Sequence, residues 1–303
     1  MKVLLTGAGG FLGRIIRQAL TEHEVTTLGR GEDMDLRLDI GSPLPDLDGF
    51  DMVVHAAGKA HVIPPKDRRE APEFMRINHL GTENLLDAVV RKGKGPKTLV
   101  FISSVSVYGR EEGMSITETH TRDASTPYAL SKKLAEDAID AWSAAHGIPA
   151  LILRLPLVVG EGAPGNLGAM ERHLRRGTYL RIGTGSARRS MVLGTDVAGL
   201  IAGASGMSGT YNLTDGHHPS FRELDTCMAS KMGVKVRSIP EPIARFMAKT
   251  GDYVPGSPFN TYRFEKLSRD LTFSDEKARR EIGWSPSPVL NLYRNSQYGS
   301  CQK

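Results

Sequence analysis

A doubly wound, Rossmann-type parallel α/β sheet with a smaller, discontinuous C-terminal substrate lobe is the fold class this sequence predicts. Three observations carry it. The chain opens on an apolar run, a glycine-rich turn and a helical pattern within its first twenty residues. β-rich apolar runs then alternate with helical periodicity to about residue 160. The connections between them are short, as parallel strand–helix units require. A length of 303 residues holds one large α/β unit or two coupled lobes.

The elements follow in order. Val3, Leu4 and Leu5 form a short continuous apolar run, the pattern of a buried strand. Gly7-x-x-Gly10-x-x-Gly13 follows, and Gly9 leaves Gly7-x-Gly9 intact as well. Ile15, Ile16, Ala19 and Leu20 then recur at helical spacing. Strand, glycine turn and helix in that order set phosphates on a helix N-terminus. Further strands are predicted over 24–28, 52–55, 98–103, 150–155 and 210–213. One long helix is predicted from about 72 to 91, with Phe74, Ile77, Leu80, Leu85 and Val89 in register, and a second over 127–146. Only six residues separate Leu28 from the next strand candidate at 35–38. A parallel crossover normally needs about a dozen, usually with a helix. The second helix is therefore expected to shrink to a loop, and the strand order at that edge stays open. The dinucleotide-binding unit is expected at 1–162 and 191–219, the substrate lobe at 163–190 and 220–303.

The chemistry centres on Tyr128-Ala129-Leu130-Ser131-Lys132. Tyr128 and Lys132 are four apart and share a helix face. A free tyrosine titrates near pKa ~10 and is a poor base at neutral pH. An ammonium one turn away favours the phenolate, so Lys132 is expected to lower the Tyr128 pKa. The strand over 98–103 ends in Ser103-Ser104-Val105-Ser106-Val107-Tyr108-Gly109. Ligands in open α/β sheets sit at the carboxyl ends of strands, where these hydroxyls fall.

Together, Gly7-x-x-Gly10-x-x-Gly13, Ser104 ahead of Tyr108-Gly109, and Tyr128-x-x-x-Lys132 resemble the extended short-chain dehydrogenase/reductase family of nucleotide-sugar epimerases, dehydratases and 4-keto reductases. Val53-Val54-His55-Ala56-Ala57-Gly58 resembles its fourth strand, and Ile77-Asn78-His79-Leu80-Gly81-Thr82 its Val-Asn-x-x-Gly-Thr helix. Phe273-Ser274-Asp275, Lys277-Ala278 and Ile282-Gly283-Trp284 resemble its closing signature. The resemblance implies Ser104, Tyr128 and Lys132 as catalytic residues. It implies cofactor contacts from Gly7, Gly10, Phe11, Leu12, Gly13, Ala56, Ala57, Gly58, Asn78, Ile102, Ser103, Tyr128, Lys132 and Leu155. Asp39-Ile40 resembles the pair that contacts adenine. In the second lobe, Asn166-Leu167 resembles the Asn-Leu whose asparagine holds the sugar-nucleotide diphosphate. Arg189, with Arg188 as its rival, resembles the arginine that pairs with that diphosphate. Ser104 is also expected to touch substrate. The family's aspartate after that arginine is replaced by Ser190, so this loop departs from that of a standard UDP-galactose 4-epimerase.

At the end of the second strand, NAD-specific sites place a carboxylate on the ribose hydroxyls. Gly29-Arg30 stands there instead. Arg30 can pair with a 2′-phosphate, so NADP is preferred over NAD as cofactor. Two reactions at the sugar's C4 fit the same residues, 4-keto reduction and 4-epimerisation, and the reading leans to the reductase. A dehydratase fits less well, because Val105-Ser106 replaces an Asp-Glu pair. A non-catalytic NADP(H) sensor is the reading from another class; such relatives usually lose the tyrosine or the lysine, and both are present. The partners expected are a nucleotide-diphosphate sugar, UDP-linked, and a second copy in a homodimer formed through the two long helices.

Composition narrows the remaining classes. Two cysteines far apart suggest a reducing compartment and a cytoplasmic enzyme. No run approaches the ~20 apolar residues of a membrane helix, so no membrane partner is expected. There is no long basic run or zinc spacing, so neither nucleic acid nor metal is expected. The net charge of +5 is modest and fits an anionic ligand or a solvated surface.

Overall fold

The computed structural model describes residues 1–60, 70–93, 95–254, 257 and 259–294. In chain order, the first half runs β1 (Lys2–Thr6), α1 (Phe11–Ala19), β2 (Glu24–Gly29), β3 (Leu36–Arg37), β4 (Met52–His55), α2 (Ala71–Phe74), a π-helical stretch (Met75–Leu80), α3 (Gly81–Val90), β5 (Thr98–Ser104), β6 (Gly113–Ile116) and α4 (Pro127–His146). The second half runs β7 (Ala150–Leu155), β8 (Leu157–Val159), α5 (Gly165–Arg175), β9 (Leu180–Ile182), β10 (Met191–Leu193), α6 (Gly194–Ala202), β11 (Gly209–Asn212), α7 (Phe221–Met232), β12 (Arg237–Ile239), α8 (Glu241–Asp252), α9 (Thr261–Ser268), β13 (Leu271–Phe273), α10 (Glu276–Ile282) and α11 (Asn291–Arg294).

Seven strands form one parallel sheet in the order β11-β7-β5-β4-β1-β2-β3. Successive strand residues face opposite sides, and the sequence uses both. Val3, Leu5, Val54, Val100 and Leu153 point into one apolar layer under α1 and α6. Leu4, Val53, Leu99, Phe101 and Ile152 point into the other, under α3 and α4. Strands buried on both faces read as continuous apolar runs, which explains the runs in the sequence. No helix among the described residues is long and apolar enough to cross a membrane.

Three places refine the expected architecture. β3 pairs with β2 in parallel, Leu28 beside Leu36 and Gly29 beside Arg37, with no helix between them. Asp35 accepts hydrogen bonds from the Thr27 amide and hydroxyl at 2.8 and 2.7 Å, which ties the short crossover down. The helix expected over 72–91 is interrupted by a wider π-helical stretch at Met75–Leu80. The closing segment lies against the sheet. Ala278, Ile282 and Trp284 join the apolar layer of β1 and β7, and Trp284 Nε1 donates to the Thr214 carbonyl at 2.9 Å.

The remaining described elements form small parallel pairs beside the carboxyl end of the sheet: β8 with β10, β9 with β12, and β6 with β13. With α5 and α7 they enclose an apolar cluster of their own, built on Val159, Leu174, Leu193, Leu224 and Met228.

Candidate active site

The glycine turn is built by steric need. Gly7 has φ +74, and a Cβ there would lie 2.6 Å from the Ala56 carbonyl carbon and the Ala57 nitrogen. A Cβ on Gly13 would lie 2.0 Å from the Gly7 carbonyl oxygen. The turn therefore folds onto α1 only with glycine at both positions. Gly10 N–H donates to Gly7 O, and Arg14 closes the loop from outside by donating to Gly9 O at 2.7 Å. Phe11 and Leu12 are half-buried in the first turn of α1. This cradle, at a helix N-terminus between the carboxyl ends of β1 and β4, fits a dinucleotide's pyrophosphate. Ala56, Ala57 and Gly58 form its second wall. A Cβ on Gly58 would stand 3.2 Å from both Asn78 Oδ1 and Lys132 Nζ.

α4 begins where the sequence says it should. Thr126 Oγ1 accepts from the Ala129 amide at 3.2 Å, Pro127 occupies the first turn, and Gly147 ends the helix at φ +65. Tyr128 thus sits in the first turn, with its ring edge-on to Phe74. Ser104, at the carboxyl end of β5, works through its side chain to lower the Tyr128 pKa. Burial works the other way and is the stronger effect, so the phenol is held above its ordinary value. The sequence expected Lys132 to dominate and lower it. Instead, Lys132 Nζ donates to the Ile102 carbonyl at 2.8 Å and lies 4.5 Å over the Phe101 ring. Burial takes the lysine down to about 8, against an opposing pull from Glu136.

Asn78 lies in the π-helical stretch and is fully satisfied. Its Nδ2 donates to Lys59 O at 3.0 Å and Ser131 Oγ at 2.9 Å, and its Oδ1 accepts from the Lys59 amide at 2.7 Å. Beneath it His55 is held neutral. Thr82 donates to the Asn78 carbonyl and so accepts from His55 Nε2, while Thr6 accepts from the Ala57 amide and so donates to Nδ1. Burial without an acidic partner takes its pKa down to about 3.

Ser104, Tyr128, Leu155, Asn166 and Arg189 all line one cavity of about 890 Å³ between the sheet and the second lobe. Arg189 is half-buried and donates to the Lys266 carbonyl, yet makes no ion pair among the described residues. Burial accordingly pulls its pKa down, which leaves a desolvated cation facing the cavity. Asn166 is exposed in the first turn of α5.

Other sequence-selected residues lie elsewhere. Arg188 does not line the cavity; it donates to the His218 carbonyl at 3.0 Å and approaches Glu223 at 3.8 Å. Ser103 faces inward and donates to Glu136. Ile40 is core, packed on α3 where a Cβ on Gly81 would meet it at 3.0 Å. Asp39 caps the Gly41 amide and pairs with Arg76 at 2.9 Å. Arg30 is exposed at the end of β2, and its charge helps hold the Asp39 and Glu73 carboxyls low.

Sequence reasoning missed a buried polar network beneath Ser104. Glu136 accepts from Ser103, from Arg154 Nη2 at 2.7 Å and from Arg122 at 3.1 Å; Arg154 Nη1 donates to Tyr108, whose hydroxyl donates to Asn212 at 2.8 Å. Two signals pointed to it. Arg154 interrupts an otherwise apolar strand, and Glu136 continues the Tyr128/Lys132 face by one more turn.

The model of the NAD dependent epimerase/dehydratase family matches residues 3–213. A UDP-glucose 4-epimerase of Vibrio cholerae is 26% identical over 311 residues, covering 95% of this chain and 92% of its own. A GDP-6-deoxy-D-mannose reductase of Pseudomonas aeruginosa is 28% identical, covering 80% and 83%. The solved structure of RMD from Pseudomonas aeruginosa complexed with NADPH superimposes with a TM-score of 0.75 at 23% identity, covering 97% of each chain. That last likeness is one of fold.

Proposed function

The chain belongs to the NAD dependent epimerase/dehydratase family, and from that premise we propose that it is an NADPH-dependent reductase of a UDP-linked 4-keto sugar used in surface-polysaccharide synthesis. Bound dihydronicotinamide would supply hydride to the sugar's C4. Tyr128 gives its hydroxyl proton to the ketone oxygen, and Ser104 steadies that oxygen and the phenol together. Lys132, held by the Ile102 carbonyl, fixes the tyrosine's side of the cofactor pocket. Asn166 and Arg189 hold the substrate's diphosphate.

The observation that carries the reductase reading is the end of β2, where Gly29 offers no carboxylate to the ribose and the exposed Arg30 can meet a 2′-phosphate, a site suited to soluble NADPH that exchanges at each turnover. Burial holds the Tyr128 phenol above its ordinary value, and the phenol is the proton donor that ketone reduction needs. The desolvated Arg189, without an ion pair among the described residues, supports an anionic substrate. Gly29 and the exposed Arg30 support NADP over NAD. The likeness to a UDP-glucose 4-epimerase over 95% of the chain supports epimerisation as the second reading. Residues 1–162 and 191–219 would carry the dinucleotide. A cytoplasmic location fits the free thiol of Cys227. Exposed Leu80 and Leu130, on the two long helical segments, support a homodimer through them.

The test is incubation with NADPH and a UDP-4-keto-6-deoxy-HexNAc, following nicotinamide absorbance and product. Tyr128→Phe should lower kcat by ~10²–10⁴ with NADPH binding retained. Near wild-type turnover in that variant sinks the assignment. Interconversion of UDP-hexoses with no net nicotinamide consumption selects the epimerase.

A further inference from the structure

We infer that Arg181 selects the nucleobase of the substrate, taking a base with a carbonyl at its outer edge, as uracil has at O4, over one with an amino group there, as cytosine has at N4. The inference rests on the reading of the cavity as a nucleotide-sugar site.

The side chain is held as a fixed fork. Arg181 lies on β9 and lines the cavity. Its Nε donates to Asp225 Oδ2 at 2.9 Å, and its Nη2 donates to Asp225 Oδ1 and, at 2.9 Å, to Thr226 Oγ1. Asp225 is wholly buried on α7 and also accepts from the Tyr179 hydroxyl at 3.1 Å. The arginine stem lies against Gly185, where φ is +65 and a Cβ would stand 2.8 Å from Arg181 Cδ. Carboxylate, hydroxyl and glycine together fix the plane of the guanidinium. Nη1 makes no hydrogen bond among the described residues. Stability does not call for this arrangement, since apolar residues of similar volume often serve as well as a buried ion pair.

Position and charge identify the group that Nη1 meets. The sugar's C4 has to lie at Tyr128 and Ser104, at the carboxyl end of the main sheet. β9 pairs with β12, outside that sheet, and the base is the end of a nucleotide sugar remote from C4. Asp225 already matches the Arg181 charge, so an anion gains little there. Arg189, without an ion pair among the described residues, is the better partner for the diphosphate. What Arg181 still offers is a pair of N–H donors with no capacity to accept. They suit a carbonyl oxygen and oppose an amino group. Leu167, Met170 and Leu224 line the same cavity and pack in one apolar cluster with Tyr179. A nucleobase matches both features, being apolar on its faces and polar at its edge.

Calorimetric titration of the full chain with UDP and with CDP tests this. The wild type should bind UDP about tenfold to a hundredfold more tightly than CDP, the worth of a hydrogen bond to a charged group. Arg181→Lys keeps a cation for Asp225 but loses the planar Nη1 donors, and should erase the preference. Gly185→Ala presses on the arginine stem from the loop and should reduce the same preference. NADPH should bind both variants as it binds the wild type, which shows that they are folded. Equal affinity of the wild type for UDP and CDP overturns the inference and leaves the nucleotide-sugar reading in place, whereas binding of neither overturns both. A folded Arg181→Lys protein that keeps the preference, or that loses UDP and CDP alike, also overturns it, because the arginine then serves another part of the molecule.

Discussion

Replacing Glu136 by glutamine keeps the side chain's shape and removes its charge from the most buried ion pair beneath the active site. The Glu136 and Arg154 side chains are 1% and 6% exposed. Glutamine would present an NH₂ group to donors from Ser103, Arg154 and Arg122, all of which now point at carboxylate oxygens. Arg154 would remain buried as an uncompensated cation, with the glutamine's one carbonyl oxygen and Tyr108 as its partners. Breaking a buried pair from one side costs ~3–5 kcal/mol, which is a fall in Tm on the order of 10 °C for a chain of this size. Thermal melts read it directly. The exposed Glu171–Arg175 pair is the control, and Glu171→Gln should change stability by less than ~1 kcal/mol. Replacing Glu136 and Arg154 together by methionine should recover much of the loss, since no charge is then left unpaired. A second readout follows from Lys132. Glu136 is the group that raises its pKa against burial, so Glu136→Gln should move the alkaline limb of the pH–rate profile downward. A Glu136→Gln protein that melts within about 2 °C of wild type would refute the expectation that Arg154, left without its carboxylate, destabilises the fold.

Three further outcomes are expected. Arg30→Ala should weaken NADPH binding about tenfold to a hundredfold and leave NADH nearly unchanged, by calorimetric titration; tighter NADH than NADPH binding by the wild type would mean that Arg30 serves only the surface. His55 ties stability to pH. Its folded pKa of about 3 lies below the unfolded 6.5, so its contribution is full above pH 6.5 and falls by ~1.4 kcal/mol per unit as pH drops toward 3. Denaturant melts at stepped pH should show that slope, and His55→Asn should flatten it whatever its effect on absolute stability. The proposed homodimer should appear in sedimentation at micromolar protein and be weakened by Leu130→Glu on α4; a wild-type monomer there would remove it.

Much of the fold was legible because the sheet is buried on both faces. β4 and β7 coincide with their predicted bounds, and α4 does so because Thr126-Pro127 and Gly147 are explicit start and stop signals. The short β2–β3 crossover was legible as an absence of room for a helix. The π-helical stretch was not, because Phe74, Ile77, Leu80, Leu85 and Val89 keep an apolar register that a regular helix would also show. What widens the turn is tertiary, with Asn78 drawn inward to Lys59 and Ser131. Nor could periodicity show that Trp284 joins the apolar layer of the sheet and donates to the Thr214 carbonyl seventy residues away.

The site was legible as a set of residues and much less as a set of directions. Spacing placed Tyr128 and Lys132 on one helix face, but sharing a face permits contact without requiring it. The lysine's ammonium instead found a strand carbonyl and an aromatic face, both supplied by β5. Ser103 and Ser104 were adjacent candidates, and strand alternation decides between them, because one must face inward when the other faces the cavity. Arg188 and Arg189 separate in the same way, Arg188 outward to His218 and Glu223 and Arg189 inward to the cavity. The correction to Tyr128 matters most for the chemistry. A phenol lowered by its lysine would be a resting base suited to oxidation at C4. A phenol raised by burial against the opposing pull of Ser104 is a resting acid, as an ordinary tyrosine also is at neutral pH, so the direction of reaction must be set by the cofactor and substrate bound beside it.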